Sequence, residues 1–115
     1  MRSAGSLNHR VELQQRALDA NEERMGPWEK KGERWSELTN LLGSEPVMAQ
    51  RLQGVQPAVV AMRADELTRT IDNSWRLVDV NGRQVREIAS ATLTKDRAWV
   101  EVLTKAAIGD VAPII

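Results

Sequence analysis

Few side chains in this 115-residue sequence could carry chemistry. His9 is its one histidine and there is no cysteine, so nothing completes a zinc site or a Cys/His nucleophile pair with it. The sequence also has no glycine-rich phosphate-binding loop and no nucleophile elbow. We therefore expect no catalytic residue, no metal site and no cofactor. We interpret His9 as a surface or barrel-edge residue.

The carboxylates are scattered among arginines and lysines, and no paired catalytic motif appears. Sixteen Lys and Arg residues balance sixteen Asp and Glu residues, so the formal net charge is zero. A protein whose affinity rests on phosphate contacts normally carries a basic excess or stripe. The balance disfavours a dedicated nucleic-acid binder, although DNA could still slide past such a surface. We interpret the acidic residues as solvated or paired surface charges: Glu22, Glu23, Asp65, Glu66, Asp72 and Asp79.

The aromatic composition is unusual, with four Trp and no Phe or Tyr. The core must therefore consist of Val, Leu, Ile, Ala and Met, and we expect the tryptophans to be core residues except Trp28, which lies in a predicted loop. The length fits one domain, residues 1–115. The first ten residues lack an apolar signal-peptide core, and no run approaches the roughly 18 apolar residues of a membrane span. We expect a soluble protein that is made and kept in a reducing cytoplasm or in a particle assembled there.

The first half of the chain contains two segments with competing interpretations. Residues 7–17 place Leu7, Val11 and Leu13 on one strand face and polar residues on the other, but a helix fits nearly as well. Residues 34–42 are equally compatible with a strand and with a helix. Between them, residues 18–33 are polar and interrupted by Gly and Pro, which predicts a long loop.

The following elements carry clearer signals. Ser44-Glu45-Pro46 is a typical helix start, so a short helix is predicted over residues 45–53, with Gly54 ending it. Residues 57–63 form an apolar run of strand length, followed by a second loop over residues 64–74. Asn81-Gly82 predicts a two-residue type I′ hairpin turn, which places Val78 opposite Val85 and Arg76 opposite Glu87.

These elements predict a mainly β fold: a small barrel or sandwich of about six antiparallel strands, with one short helix and long loops. Residues 91–97 should turn at Lys95-Asp96 into a final strand over residues 98–103. Residues 1–6 are predicted to be a flexible leader and residues 106–115 a C-terminal tail. Both ends are predicted to lack a place in the barrel core and to become ordered mainly through neighbouring subunits.

Residues 7–15 (LNHRVELQQ) resemble the opening strand of phage head–tail joining proteins of the stopper type, which also occur in gene transfer agents. The match departs from the family at Val85, where an aromatic residue is common. On this resemblance we interpret residues 34–42 as a strand. The resemblance itself continues in order over about residues 3–105. Its further matching points are Gly26 and Trp28, a strand from Trp35, Glu45 with Ala49-Gln50, an apolar strand ending at Arg63, Asn81-Gly82-Arg83 and Ile88.

The resemblance implies a non-enzymatic neck subunit, assembled in the bacterial cytoplasm, that forms a ring of identical copies, a hexamer or a dodecamer. Such a ring would contact an adaptor or portal-side protein above and a tail terminator or tail tube protein below. It would let DNA pass without sequence-specific binding, help to retain packaged DNA, and involve no membrane. The alternatives are a tail-completion protein of the same particle and a monomeric β-barrel adaptor for a peptide or nucleic acid.

Four apolar residues are the candidate interface residues: Met25, Trp28, Ile114 and Ile115. Met25 and Trp28 are expected near the tip of the 18–33 loop, whose charges would be costly to desolvate inside one small barrel. Met and Trp are favoured as interface anchors. We expect these two side chains to make inter-subunit or inter-ring contacts rather than to fold back into their own core. Truncating Trp28 to Ala should then leave the unfolding of the monomer almost unchanged.

Overall fold

The structure, a computed structural model, describes residues 7–41, 45–107 and 109–112. Six antiparallel strands close into a barrel in the order β1-β2-β3-β6-β5-β4. The mainly β fold expected from the sequence, with one short α-helix, is confirmed for these residues. The elements are β1 His9–Arg16, β2 Trp28–Asn40, α1 Glu45–Leu52, β3 Val55–Arg63, a 3-10 turn Thr68–Thr70, β4 Trp75–Asp79, β5 Val85–Leu93 and β6 Trp99–Ala107.

The interior of the barrel is filled by aliphatic side chains that alternate along the strands. Trp75 is the tryptophan of this core, whereas Trp35 is 52% exposed and Trp28 and Trp99 are half-buried. The expectation that Trp35 is a core residue is therefore wrong, because its position on β2 faces outward. The buried cluster contains Val11, Leu13, Val60, Met62, Ile71, Trp75, Leu77, Ile88, Val100 and Val102.

Helix α1 begins and ends close to its predicted limits. Pro46 lies in the first turn, where its missing N–H costs no intrahelical hydrogen bond. Gly54 follows the helix with a φ of 80°, the left-handed conformation that commonly ends helices. No helix in the described parts of the chain is long and apolar enough to cross a membrane.

The β4–β5 hairpin has the predicted pairing but a different turn. Val78 pairs with Val85 and Arg76 pairs with Glu87, as expected. A type I′ turn needs positive φ at both Asn81 and Gly82. The positive values instead fall on Gly82 (82°) and Arg83 (57°), so the type I′ assignment is wrong. The turn is wider, since the Val80 N–H bonds the Arg10 carbonyl of β1 rather than β5.

The 18–33 segment is a loop only in its first part. Strand β2 begins at Trp28, where it pairs with Arg16, and runs on through Gly32 opposite Leu13. The polar composition that suggested a loop belongs instead to the outward face of a long strand. The β1–β2 loop is therefore residues 17–27.

The C-terminal segment is part of the barrel wall. Ala106 is buried in β6, which pairs with β3 as far as Ala107 opposite Val55. Ala112 is buried against Val78 and Val85. The expectation that residues 106–115 lack a place in the barrel core is wrong for Ala106 and Ala112. Strand β6 extends to Ala107, and the segment after it folds back so that Ala112 packs on the β4–β5 hairpin. Residues 1–6 and 113–115 lie outside the described residues.

Because the strands are antiparallel, each connection between strands lies at one of two opposite ends of the barrel. One end, called here the loop end, carries the β1–β2 loop, residues 64–74 and the turn at 94–98. The opposite end, called the helix end, carries α1, the turn at 80–84 and residues 109–112. The two ends therefore present different surfaces.

Candidate functional site

His9 lies in a polar cluster at the helix end. Its Nε2 is 2.9 Å from Oδ1 of Asp79, and Arg86 donates from Nε and Nη2 to the two oxygens of the same carboxylate at 2.9 and 3.0 Å. Both oxygens of Asp79 are therefore engaged, so this cluster is a structural ion pair. In the described parts of the chain no group of three or more His, Cys, Asp or Glu residues could hold a metal ion.

The electrostatics of Asp79 follow from these contacts. Burial acts to raise the pKa of the Asp79 carboxyl, but the hydrogen bonds of His9 and Arg86 and the charge of Arg86 lower it further than burial raises it. The net result is a pKa below the ordinary value for aspartate. Asp79 is thus paired, as expected, but it is buried rather than at the solvated surface.

The outward face of β1 is covered rather than solvated. Glu12 and Gln14 are both buried, although their alternation predicted a solvent-facing side. Arg76 donates to the Gln14 amide oxygen at 2.6 Å, and Arg83 donates both terminal nitrogens to Glu12 at 3.3 Å. Burial acts to raise the pKa of Glu12, but hydrogen bonds from Arg83 and Gln14 lower it more. The long arginines of β4 and the 80–84 turn fold over this face.

Trp28 packs on this covered face of its own barrel. Its ring lies 4.7 Å from the Arg16 guanidinium and 4.4 Å from that of Arg76, measured to the ring centroid. The expected position near a loop tip is wrong, because Trp28 is the first residue of β2. Its ring remains half-exposed, so its role at an interface stays a prediction.

An open cavity of about 380 Å³ adjoins Trp28. Arg16 and Arg76 line it together with Glu87 and Asp110. Two positive charges thus face two negative charges, and the cavity has no net preference for an anion. We interpret it as a polar crevice of the barrel surface.

The β1–β2 loop presents Met25 to solvent, with 67% of the residue exposed. The loop is internally bonded: the Gly26 N–H donates to the Ala17 carbonyl at 2.9 Å, and the Asp19 N–H donates to the Glu23 carbonyl at 2.7 Å. Met25 is therefore held out by an ordered loop, as its expected place near the tip requires. Its contact with a neighbour stays a prediction.

A second apolar surface, which the sequence analysis missed, lies at the helix end. Met48 and Leu52 of α1 are 50% and 87% exposed. With Arg51, Val55 and Gln56 they line a groove of about 370 Å³, called here the α1 groove. The signal in the sequence was the i, i+4 spacing of Met48 and Leu52, which puts two apolar side chains on one helix face. The other candidate residues, Ile114 and Ile115, lie outside the described residues.

Comparisons with known proteins show one family and two similar folds. The family model for phage head completion proteins matches residues 2–107. A subunit in the virion of a native gene transfer agent particle is similar in structure, with a TM-score of 0.65, 20% identity, and coverage of 90% of this chain and 97% of that chain. A Shigella flexneri 2a protein solved in solution has a TM-score of 0.62 and 16% identity, and the match covers 95% of this chain and 100% of that chain. No curated protein matches.

Proposed function

Because this chain belongs to the phage head completion protein family, we propose that it is a neck subunit that forms a ring between the head and the tail of a phage-like particle. The family consists of structural virion proteins and not of enzymes, so the chain is a structural component of such a particle and contacts other particle proteins. The observation that carries the proposal is the family match, which spans nearly the whole chain.

In the proposed assembly, identical copies form a hexamer or dodecamer. The ring binds an adaptor or portal-side protein on one side and a tail terminator or tail tube protein on the other. It joins head to tail, helps to retain packaged DNA, and is assembled in the bacterial cytoplasm. Met25, Trp28, Ile114 and Ile115 are proposed interface residues.

The DNA-facing part of the proposal rests on charge. The sixteen basic and sixteen acidic residues give no net attraction for phosphates, and many of the arginines are engaged within the barrel, as Arg76, Arg83 and Arg86 are. A neck channel must let DNA through without holding it. A balanced surface meets that requirement, whereas a basic stripe would retard the passing DNA.

The proposal is tested by deleting the gene from the genome that encodes the particle and supplying the chain in trans. We expect heads that package DNA but carry no tail, and whose DNA becomes accessible to nuclease, with both defects corrected by the wild-type chain. Complementation with Glu66→Gln, a change at an exposed position, is the matched control. Complete heads joined to shortened or unfinished tails would instead indicate a tail-completion role, and normal particles would overturn the assignment.

A further inference from the structure

We propose that neighbouring copies of this chain join head to tail, with the β1–β2 loop of one copy seated in the α1 groove of the next. The contact places Met25 against Met48 and Leu52 of the adjacent subunit. This inference rests on the proposed ring and names the surfaces that build it.

The loop is preorganised to act as the inserted element. Besides its backbone bonds, the Asp19 carboxylate accepts from the N–H groups of Asn21 and Glu23 at 2.8 and 3.0 Å. Gly26 is required by close packing, since a Cβ there would lie 2.9 Å from the Ala17 carbonyl oxygen. A loop ordered before binding loses little conformational entropy on docking. Its exposed Met25 therefore has the properties of an anchor rather than of a mobile surface residue.

The α1 groove is suited to receive such a side chain. It is open, has a volume of about 370 Å³, and its walls include the exposed side chains of Met48 and Leu52. In the described residues, α1 packs on β3 of its own chain, so its outer face lacks a cover. Thioether and aliphatic side chains adapt to one another's shape on contact.

The charges of the two surfaces are complementary. The loop carries three carboxylates, on Asp19, Glu22 and Glu23, against one guanidinium, on Arg24, which leaves a net charge of −2. The α1 groove is lined by the cation Arg51. Opposite charges at the rim of an apolar contact guide its register. The same negative charge disfavours contact between this loop and DNA.

The positions of the two surfaces determine what kind of assembly they build. Met25 is at the loop end of the barrel and Leu52 is at the helix end. A contact between two different patches on opposite ends of a subunit leaves each patch of the next copy free to continue the series. Such heterologous contacts give a closed ring when the rotation between copies closes. A surface pairing with itself would stop at a dimer.

Cysteine crosslinking tests the contact without interference, because the natural chain has no cysteine. Met25→Cys and Leu52→Cys are introduced singly and together into the full chain, which is expressed with the other proteins of its particle and then oxidised. We expect the double variant to give a ladder of crosslinked species beyond the dimer. A mixture of the two single variants should give a heterodimer only, and neither single variant should crosslink to itself.

Each outcome decides between distinct assemblies. A Met25→Cys homodimer would indicate a symmetric pairing, and crosslinking of Met25→Cys to another particle protein would assign the loop to an inter-ring contact; either would overturn the proposal. Absence of any crosslink, in particles that contain the chain in their necks, would also overturn it while leaving the proposed function intact. Absence of the chain from particles would contradict the proposed function itself.

A charge exchange supplies a second, independent measurement. Arg51→Glu in the double-cysteine background should remove most of the ladder, and adding Glu23→Arg should restore it, since the reversed pair attracts again. Arg69→Glu, a charge reversal at the loop end outside both surfaces, is the matched control and should leave the ladder unchanged. Loss of the ladder with Arg51→Glu but no recovery with Glu23→Arg would show that these charges do not face each other.

Discussion

Arg86 holds Asp79 in a two-point ion pair across the β4–β5 hairpin, with donor–acceptor distances of 2.9 and 3.0 Å. Both side chains are less than a tenth exposed. A buried ion pair is not necessarily more stable than two apolar residues, but removing one member leaves the other charge buried without its partner. The pair therefore makes the helix end of the barrel sensitive to the loss of a single charge.

Asp79→Asn should lower the free energy of unfolding by about 3–5 kcal/mol, because the Arg86 guanidinium then remains buried without a carboxylate. Urea unfolding of the isolated chain measures this change. Glu66→Gln at an exposed position is the control and should stay within about 0.5 kcal/mol of the wild type. An Asp79→Asn protein as stable as this control would show that the guanidinium finds another partner or water.

The lowered pKa of Asp79 predicts how the free energy of unfolding changes at acid pH. The folded pKa of Asp79 is lowered, so its contribution is present above the unfolded pKa of about 3.9 and is lost as the pH falls through the folded value. Glu12 and Asp65 also have lowered pKa values, Asp65 through its bonds from Arg34 and Thr68 despite burial. The unfolding free energy should therefore decrease below about pH 4.

Measuring the free energy of unfolding as a function of pH in Asp79→Asn separates the contribution of Asp79 from those of the other carboxylates. The variant is expected to be less stable at neutral pH and to lose less stability between about pH 5 and pH 2 than the wild type. Parallel curves for the two proteins would mean that Asp79 does not titrate differently in the folded and unfolded states.

Trp28→Ala should lower the unfolding free energy by about 1–2 kcal/mol, since the ring stacks on two arginines and covers part of the β1 face. Trp35→Ala is the matched control: this ring is more exposed and contacts one guanidinium, that of Arg10, at 5.2 Å. We expect about half the effect there. Equal stability of Trp28→Ala and wild type would restore the sequence-based expectation that this side chain serves neighbours alone.

Gly26→Ala should destabilise the chain by about 1–3 kcal/mol, because the new methyl group would press on the Ala17 backbone. Gly32→Ala is the comparison: its Cβ would meet the end of the Leu67 side chain at 2.8 Å, which can move more easily than a backbone. Thermal unfolding of both variants should rank Gly26→Ala as the less stable. The reverse ranking would mean that the β1–β2 loop adjusts readily, contrary to its hydrogen bonding.

The parts of the fold that were predictable depend on local chemistry. The β4–β5 register follows from the alternation of Trp75–Asp79 and from a turn-forming Asn81-Gly82, and α1 follows from Pro46 and Gly54. The details of the turn were not predictable, because they depend on contacts with β1: Val80 meets Arg10, 70 residues away in sequence, and Arg83 meets Glu12, 71 residues away.

The sequence was less informative wherever a surface is covered by distant residues. Gln14 and Glu12 have the alternation of a solvated face, yet arginines from β4 and the following turn bury them. The outward position of Trp35 could not be inferred either, since a large apolar side chain is usually taken as core. The α1 groove had a signal in the spacing of Met48 and Leu52, but its exposure depends on the packing of the whole helix.

The closure of the barrel limits the ways in which this chain can associate with other chains. In an open sheet, the unpaired backbone of an edge strand can recruit further strands and lead to uncontrolled polymerisation. The six described strands each pair with two neighbours, which leaves no such edge among them. Association of one copy with another by addition of a strand to this sheet is therefore disfavoured. Contacts with other chains are left to side chains at the barrel surface, so a single substitution there can weaken an assembly without disturbing the sheet.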